Sequence, residues 1–230
     1  MIKSLFKIFK DKNKEAPPLF NILTRTSGRP NGFKKCHKSL LGQTYKNFRH
    51  IVSFDTPGDL EYINNYQVDT IRVYKEPNKK YKTGFDDRKH EPYNLYCNDL
   101  LKEVSEGWIM FLDDDDMLRN KNVLKILSRE ISKFDEDTLF LWQTRFPNGV
   151  NLPSQLNFEN KRIVKQQIDT ACLLFHSKYK DKAIWDEWWA ADFRFIDALA
   201  KEIPNHRWIS KVLTQKNNFG GQGKRKDISD

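Results

Sequence analysis

Four consecutive aspartates, Asp113 to Asp116, follow directly on the apolar run Trp108-Ile109-Met110-Phe111-Leu112. Adjacent carboxylates repel one another and are driven toward protonation unless a cation shares them. A divalent ion removes that conflict. Hard oxygen ligands suit Mg2+ or Mn2+, and such an ion keeps open positions for the phosphates of a substrate. An acidic run in isolation reads more readily as a solvated turn. Here the run in front of it has no polar alternation, which is how a strand buried on both faces of a parallel sheet reads. The carboxylates therefore stand at a strand's C-terminal end, the edge at which open α/β sheets bind ligands.

Three further positions carry chemistry. Asp55 ends a second apolar run, Phe48 to Phe54, ahead of the breakers Thr56-Pro57-Gly58-Asp59, where it either caps the turn or faces the same crevice. Asp192 lies in a segment, 184 to 203, that reads as one helix. At about 100° per residue, Ile184, Trp185, Trp188, Phe195, Ile196 and Leu199 share a stripe, and Asp186, Glu187, Arg194 and Asp197 take the opposite side. Asp192 falls within the stripe. A carboxylate among aromatic rings has a raised pKa and suits a general base working near neutral pH. If the helix breaks near Ala191, Asp192 caps its second half, and the two roles can coexist. His206, after Pro204-Asn205, is a candidate metal ligand or diphosphate contact. Trp185, Trp188 and Trp189 would stack on a sugar or fill a core, and Lys79, Lys80, Lys82, Arg88 and Lys89 read as a solvated charged loop.

Positioning these groups requires an alternation of strands and helices. Strands are expected at 19–26, 48–54, 70–74 and 108–112, and helices at 33–41, 60–66 and 93–104. This is the βαβ pattern of a doubly wound sheet with right-handed crossovers. Beyond Asp116 the character changes: a helix near 121–134, a strand near 138–144, an irregular polar stretch at 145–160, a strand near 170–175, and the helix at 184–203. The domain proper is expected at 19–215, with a nucleotide-binding half to about 118 and an acceptor half from 119. Residues 216–230 read as a flexible basic tail.

Composition sets the outer bounds. The chain has 230 residues, 38% apolar and 13% aromatic, enough for a substantial core. A net charge of +9 favours anionic partners. Three well-separated cysteines, Cys36, Cys97 and Cys172, indicate neither a disulfide framework nor a zinc site, and fit a reducing cytoplasm. Residues 1–14 place Ile2, Leu5, Phe6 and Phe9 on one helical face among lysines, the pattern of a short basic amphipathic helix able to lie on a membrane surface. Pro17-Pro18 then marks a linker, closing an N-terminal segment of 1–18.

Three stretches, ILTRTSGRP at the first strand, SLLGQTYKNFRHIVSFD across the first helix and second strand, and GWIMFLDDDDML at the centre, resemble family 2 glycosyltransferases of the GT-A fold. That resemblance implies a Rossmann-like, mostly parallel sheet flanked by helices, with an irregular acceptor-side region. It assigns nucleotide-sugar contacts to Thr24, Thr26, Arg29, Asp55, Asp113 and Asp114. The family's Asp-x-Asp element maps onto Asp113-Asp114-Asp115, with Asp113 touching ribose and metal and Asp115 the principal ligand of Mn2+ or Mg2+; His206 matches a C-terminal histidine that such enzymes often recruit. The family's Glu-Asp base motif aligns with Ala191-Asp192, its glutamate missing. An Arg-Asn pair common before the central strand is Asn98-Asp99 here.

The expected activity is metal-dependent, inverting transfer of a sugar from a nucleotide diphosphate, with UDP the expected nucleotide, to a glycan or other hydroxyl acceptor, in the cytoplasm or peripherally on the membrane. Nucleic acid is not an expected partner. A basic nucleic-acid or membrane-binding module accounts for the charge but leaves the acidic strand end unexplained. A metal-dependent phosphodiesterase or nucleotidyltransferase also gathers carboxylates around a metal.

Overall fold

The computed structural model describes residues 16–74, 89–217 and 227. The proposed N-terminal helix at 1–14, residues 76–88 of the lysine-rich loop expected over 76–92, and most of the basic tail lie outside them. In order the elements are β1 (Phe20–Thr26), α1 (Pro30–Leu41), β2 (Phe48–Phe54), α2 (Leu60–Ile63), β3 (Asp69–Arg72), α3 (Tyr96–Lys102), β4 (Trp108–Phe111), β5 (Asp116–Leu118), α4 (Val123–Ile131), β6 (Thr138–Arg145), β7 (Asn151–Leu152), α5 (Gln155–Glu159), β8 (Leu173–His176), α6 (Ala191–Glu202) and β9 (Asn205–Lys216).

Among the described residues the strands form one sheet in the order β3-β2-β1-β4-β8-β6-β9-β5, with β7 beside β6. The first four are mutually parallel. Beyond β4 the parallel character gives way: β8 runs antiparallel to both β4 and β6, β9 parallel to β6, and β5 antiparallel to β9. The sheet therefore divides where the sequence changes character, into a parallel half and a mixed half.

The parallel half forms for the reasons its sequence carries. Trp108 to Leu112 are all buried, covered on both faces, and each such side chain removed from water contributes about 2 kcal/mol. Pro30 opens α1, where a missing N–H costs nothing; Phe33, Cys36, His37 and Leu40 point inward and Gly42 follows the last turn. Gly107 takes φ +81° ahead of β4, and a Cβ there would stand 2.6 Å from the Leu19 carbonyl oxygen. Only glycine allows the chain to pass so close. Trp108 then donates its N–H to that same oxygen at 2.8 Å, which starts the β1–β4 ladder.

Two expectations are corrected in the second half. The helix expected over 184–203 begins only at Ala191, after Ala190 at φ 62°. Trp185 nevertheless reaches the face the stripe gave it, stacked on Phe195 at a centroid distance of 4.7 Å, so it is core. Residues 205–216, whose sequence shows no strand alternation, form the long strand β9. Lys216, placed by the sequence in a flexible tail, is thus the last residue of a central strand. Cys36, Cys97 and Cys172 are all buried and unpaired.

Candidate active site

The acids emerge where β4 ends. Leu112 donates to Leu23 O at 2.9 Å and Asp114 to Arg25 O at 3.3 Å, so the loop still follows β1; Asp116 N then bonds to Asp113 O at 2.8 Å, turning the chain back into β5. Asp113, Asp115 and Asp116 each present an oxygen within 4.8 Å of the others.

Each acid meets a cation of the chain. Arg25 grips Asp113 with two parallel bonds, Nε to Oδ1 at 2.8 Å and Nη2 to Oδ2 at 2.5 Å, and also donates to Asn94 Oδ1 at 3.1 Å. Burial alone would raise the Asp113 pKa, but the charge and hydrogen bonds of Arg25 hold it below the ordinary carboxylate value. Arg29 places Nη1 3.2 Å from Asp114 and 3.9 Å from Asp115. Asp114 is wholly buried and its pKa is pushed up to about 8, chiefly by burial against the opposing effect of Arg29. Asp116, also fully buried, has its pKa driven up by the same cause, while Lys216 Nζ, 3.0 Å from its Oδ1, opposes the shift. Lys216 also lies 3.4 Å from Asp169 Oδ2.

The remaining nucleotide-site candidates gather at the same edge, with different tasks. Thr24 is fully buried; its hydroxyl donates to Leu112 O at 2.6 Å and is hydrogen-bonded to His50 Nε2 at 2.9 Å, so it ties β1 to the acid-bearing strand. Burial and the neighbouring His37 lower the His50 pKa to about 3, which keeps that ring neutral. Thr26 Oγ1 pairs with Tyr62 OH at 2.8 Å. Asp55 accepts from Ser27 Oγ at 2.6 Å and Tyr96 OH at 3.1 Å. Turn capping falls instead to Asp59, which accepts Gly28 N at 2.7 Å and the Thr56 hydroxyl at 2.5 Å. Gly32, in the first turn of α1, lies against the acid loop: a Cβ there would stand 2.9 Å from Asp114 O. Beside it Asp227 accepts the N–H groups of Asn31 at 2.8 Å and Gly32 at 2.9 Å, an anion at a helix N-terminus.

Asp192 stands in the first turn of α6. Burial first, and Asp169 second, raise its pKa to about 6, with Lys216 and Arg25 close enough to act against them. The segment in front of it is braced by Arg194, which pairs with Asp186 and donates to the carbonyls of Trp189 at 3.1 Å and Trp188 at 3.2 Å. Asn98 bonds both the N–H and the carbonyl of Trp185, each at 2.9 Å. Lys165 Nζ lies over the Trp189 ring at 5.0 Å.

His206 does not join the acids. It pairs with Leu139 near the start of β9, its Nε2 against Ala200 O at 2.9 Å, whereas Asp116 pairs with Lys216 at the strand's other end. At about 3.3 Å per residue, a strand of this length separates the two by roughly 30 Å. The side chains that sequence reasoning did not single out are Arg25, Asp169 and Lys216. Arg25 lay inside a stretch already marked and looked like an ordinary strand residue; nothing local marks the other two.

No protein-family model matches the chain. It is 31% identical over 103 residues to the GalNAc(5)-diNAcBac-PP-undecaprenol beta-1,3-glucosyltransferase of Campylobacter jejuni, a match covering 44% of this chain and 31% of that protein. Among solved structures it resembles S. aureus TarS 1-349 at TM-score 0.68 and 20% identity, over 86% of this chain and 60% of that one. The same TarS fragment in complex with UDP-GlcNAc gives 0.63 at 17% identity, over 88% and 59%. The mannosyltransferase PcManGT of Pyrobaculum calidifontis, in complex with GDP-Man and Mn2+, gives 0.59 at 10% identity, over 91% and 59%. The chain spans about a third of the curated relative and three-fifths of the solved chains. Its parallel half, acidic strand end and mixed second half are the architecture of the GT-A glycosyltransferases, and that is the fold of this chain.

Proposed function

We propose that the chain is a metal-dependent, inverting glycosyltransferase that moves a hexose from a UDP-sugar to a hydroxyl of a glycan. The observation that carries this reading is the carboxylate triad at the end of β4 together with a separate carboxylate, Asp192 in the first turn of α6, close enough to Arg25 and Lys216 for their charges to act on it. The glucosyltransferase similarity and the UDP-GlcNAc complex of a structure with the same fold support the donor class.

The residues fit a divalent ion. Asp116 Oδ2 is buried without a hydrogen-bond partner, an orphaned acceptor beside Asp113 and Asp115. Asp115 and Asp116 would hold the ion, with Asp113 kept in place by Arg25; the Mn2+ complex of the mannosyltransferase supports its identity. When bound, it supplies Lewis-acid neutralisation of the diphosphate. Arg29 and the positive surface draw the anionic donor in. Asp192 takes the acceptor hydroxyl's proton as its oxygen attacks the anomeric carbon; the C–O bond to the diphosphate breaks and its electron pair leaves with the phosphate. Attack opposite the leaving group inverts the anomeric centre.

Calorimetric titration with UDP, with and without Mn2+, tests the reading: nucleotide binding strengthened by the metal is expected. A surface-binding module would ignore both ligands, and a phosphodiesterase would show no preference for a diphosphate. Asp115→Asn is expected to weaken Mn2+-dependent UDP binding while melting at or above the wild-type temperature, because it also relieves carboxylate repulsion. Unchanged metal dependence in that variant would remove Asp115 from the ligand set.

A further inference from the structure

Lys216 reaches the acids through an irregular strand. Along β6 and β9 the pairing moves from Leu141↔Trp208 to Gln143↔Val212 and then Thr144↔Thr214, so β9 carries extra residues that bulge it between Trp208 and Thr214. Bulges bend strands and re-aim side chains beside functional sites, and a slip of one residue would turn Lys216 to the opposite face. The register after the bulge is fixed from several sides. Thr214 Oγ1 bonds Thr144 Oγ1 at 2.7 Å and Ala171 O at 2.8 Å, and Asn217 donates to the carbonyl of Asp115 at 2.7 Å. The ammonium is thereby delivered, 84% shielded from solvent, to a carboxylate of the metal-capable triad, and it leaves Asp116 Oδ2 unpartnered.

We propose that Lys216 is a built-in cation of the donor site that holds down its affinity for a free divalent ion, so that the ion and the nucleotide diphosphate load together. The inference rests on the metal-dependent reading above. A divalent ion on the triad shares Asp116 with the ammonium. Two cations on one carboxylate repel strongly enough, even with the screening usual near a protein surface, to change an affinity by about tenfold or more. A diphosphate brings the negative charge that makes both cations welcome, and the coupling is reciprocal: the nucleotide tightens the metal by the factor with which the metal tightens the nucleotide.

Titrations of Mn2+ into the full chain, alone and with saturating UDP, test this on wild type, Lys216→Met, Lys216→Gln and the charge-preserving Lys216→Arg. Removal of the charge is expected to tighten Mn2+ alone by about tenfold or more and to shrink the enhancement by UDP, with Lys216→Arg close to wild type. A lysine that merely neutralised Asp116 for folding would give the opposite sign, since its loss loosens the site. Lys216→Gln keeps a hydrogen-bond donor toward Asp116 and carries the test if Lys216→Met does not fold. Metal–nucleotide coupling present in wild type, with Mn2+ binding no tighter in the folded neutral variants, overturns the role of Lys216 alone. Failure of Mn2+ to bind wild type with UDP, and to bind either neutral variant, overturns the metal-dependent reading and this inference with it.

Discussion

Asp192, in the first turn of α6, and Asp113, just after β4, are carboxyl groups with opposite electrostatic environments. Arg25 holds Asp113 ionised, while burial and Asp169 raise Asp192 to about 6. A base must be ionised to accept a proton, so transfer is expected to rise as pH climbs through about 6 and to level above it, a profile read from initial rates. Because the folded pKa lies above the ordinary one, protonated Asp192 favours the fold at low pH, and that contribution is lost as pH rises through about 6. Asp192→Asn is therefore expected to melt at or above the wild-type temperature at pH 8, by calorimetry, and to bind UDP with Mn2+ normally. Its transfer rate should fall by a factor on the order of 10² or more. Transfer near the wild-type rate, or a product that keeps the donor's anomeric configuration, would refute the assignment.

Among the elements, β4 carries the acids and depends on its entry. Gly107→Ala would place a methyl 2.6 Å from Leu19 O at a backbone angle that side chains avoid. The expected cost is about 2 kcal/mol or more, read as a lower denaturation midpoint, with nucleotide binding weakened because the β1–β4 register carries the acid loop. Elements such as β4 are legible in the sequence because burial on both faces leaves no polar residue in Trp108 to Leu112 to confuse the reading. α1 is legible because Phe33, Cys36 and Leu40 keep helical spacing between a proline and a glycine. β9 escaped for a physical reason: its burial runs in pairs, Trp208-Ile209 buried, Ser210-Lys211 exposed and Leu213-Thr214 buried, in place of the alternation that marks a strand. The C-terminal helix was half legible. Trp185 and Phe195 do share a face, but they meet across the turn at Ala190, and hydrophobic spacing alone does not reveal a left-handed residue between them.

At the scale of the whole molecule, a basic chain surrounds an acidic site. In the proposed function the +9 charge would draw the anionic donor in by long-range attraction, and the carboxylates would meet it through a shared ion. None of the site's long-range partnerships, Arg25 with Asp113 or Lys216 with Asp116, is legible from local pattern, because a pair distant in sequence is fixed only by strand order. Membrane contact through residues 1–14 is tested directly: salt-sensitive binding to vesicles of anionic lipid is expected, and deletion of the segment should abolish it. Binding that survives the deletion would exclude that segment as the anchor. Gly32 shows how far the acid loop's requirements reach. It bears no functional group, yet its Cα rests so near the Asp114 carbonyl that the smallest side chain would intrude. A lineage that keeps this loop is therefore not free to drift at residue 32. Among descendants of this gene, glycine there and the path of the acid loop should be inherited together, or change together.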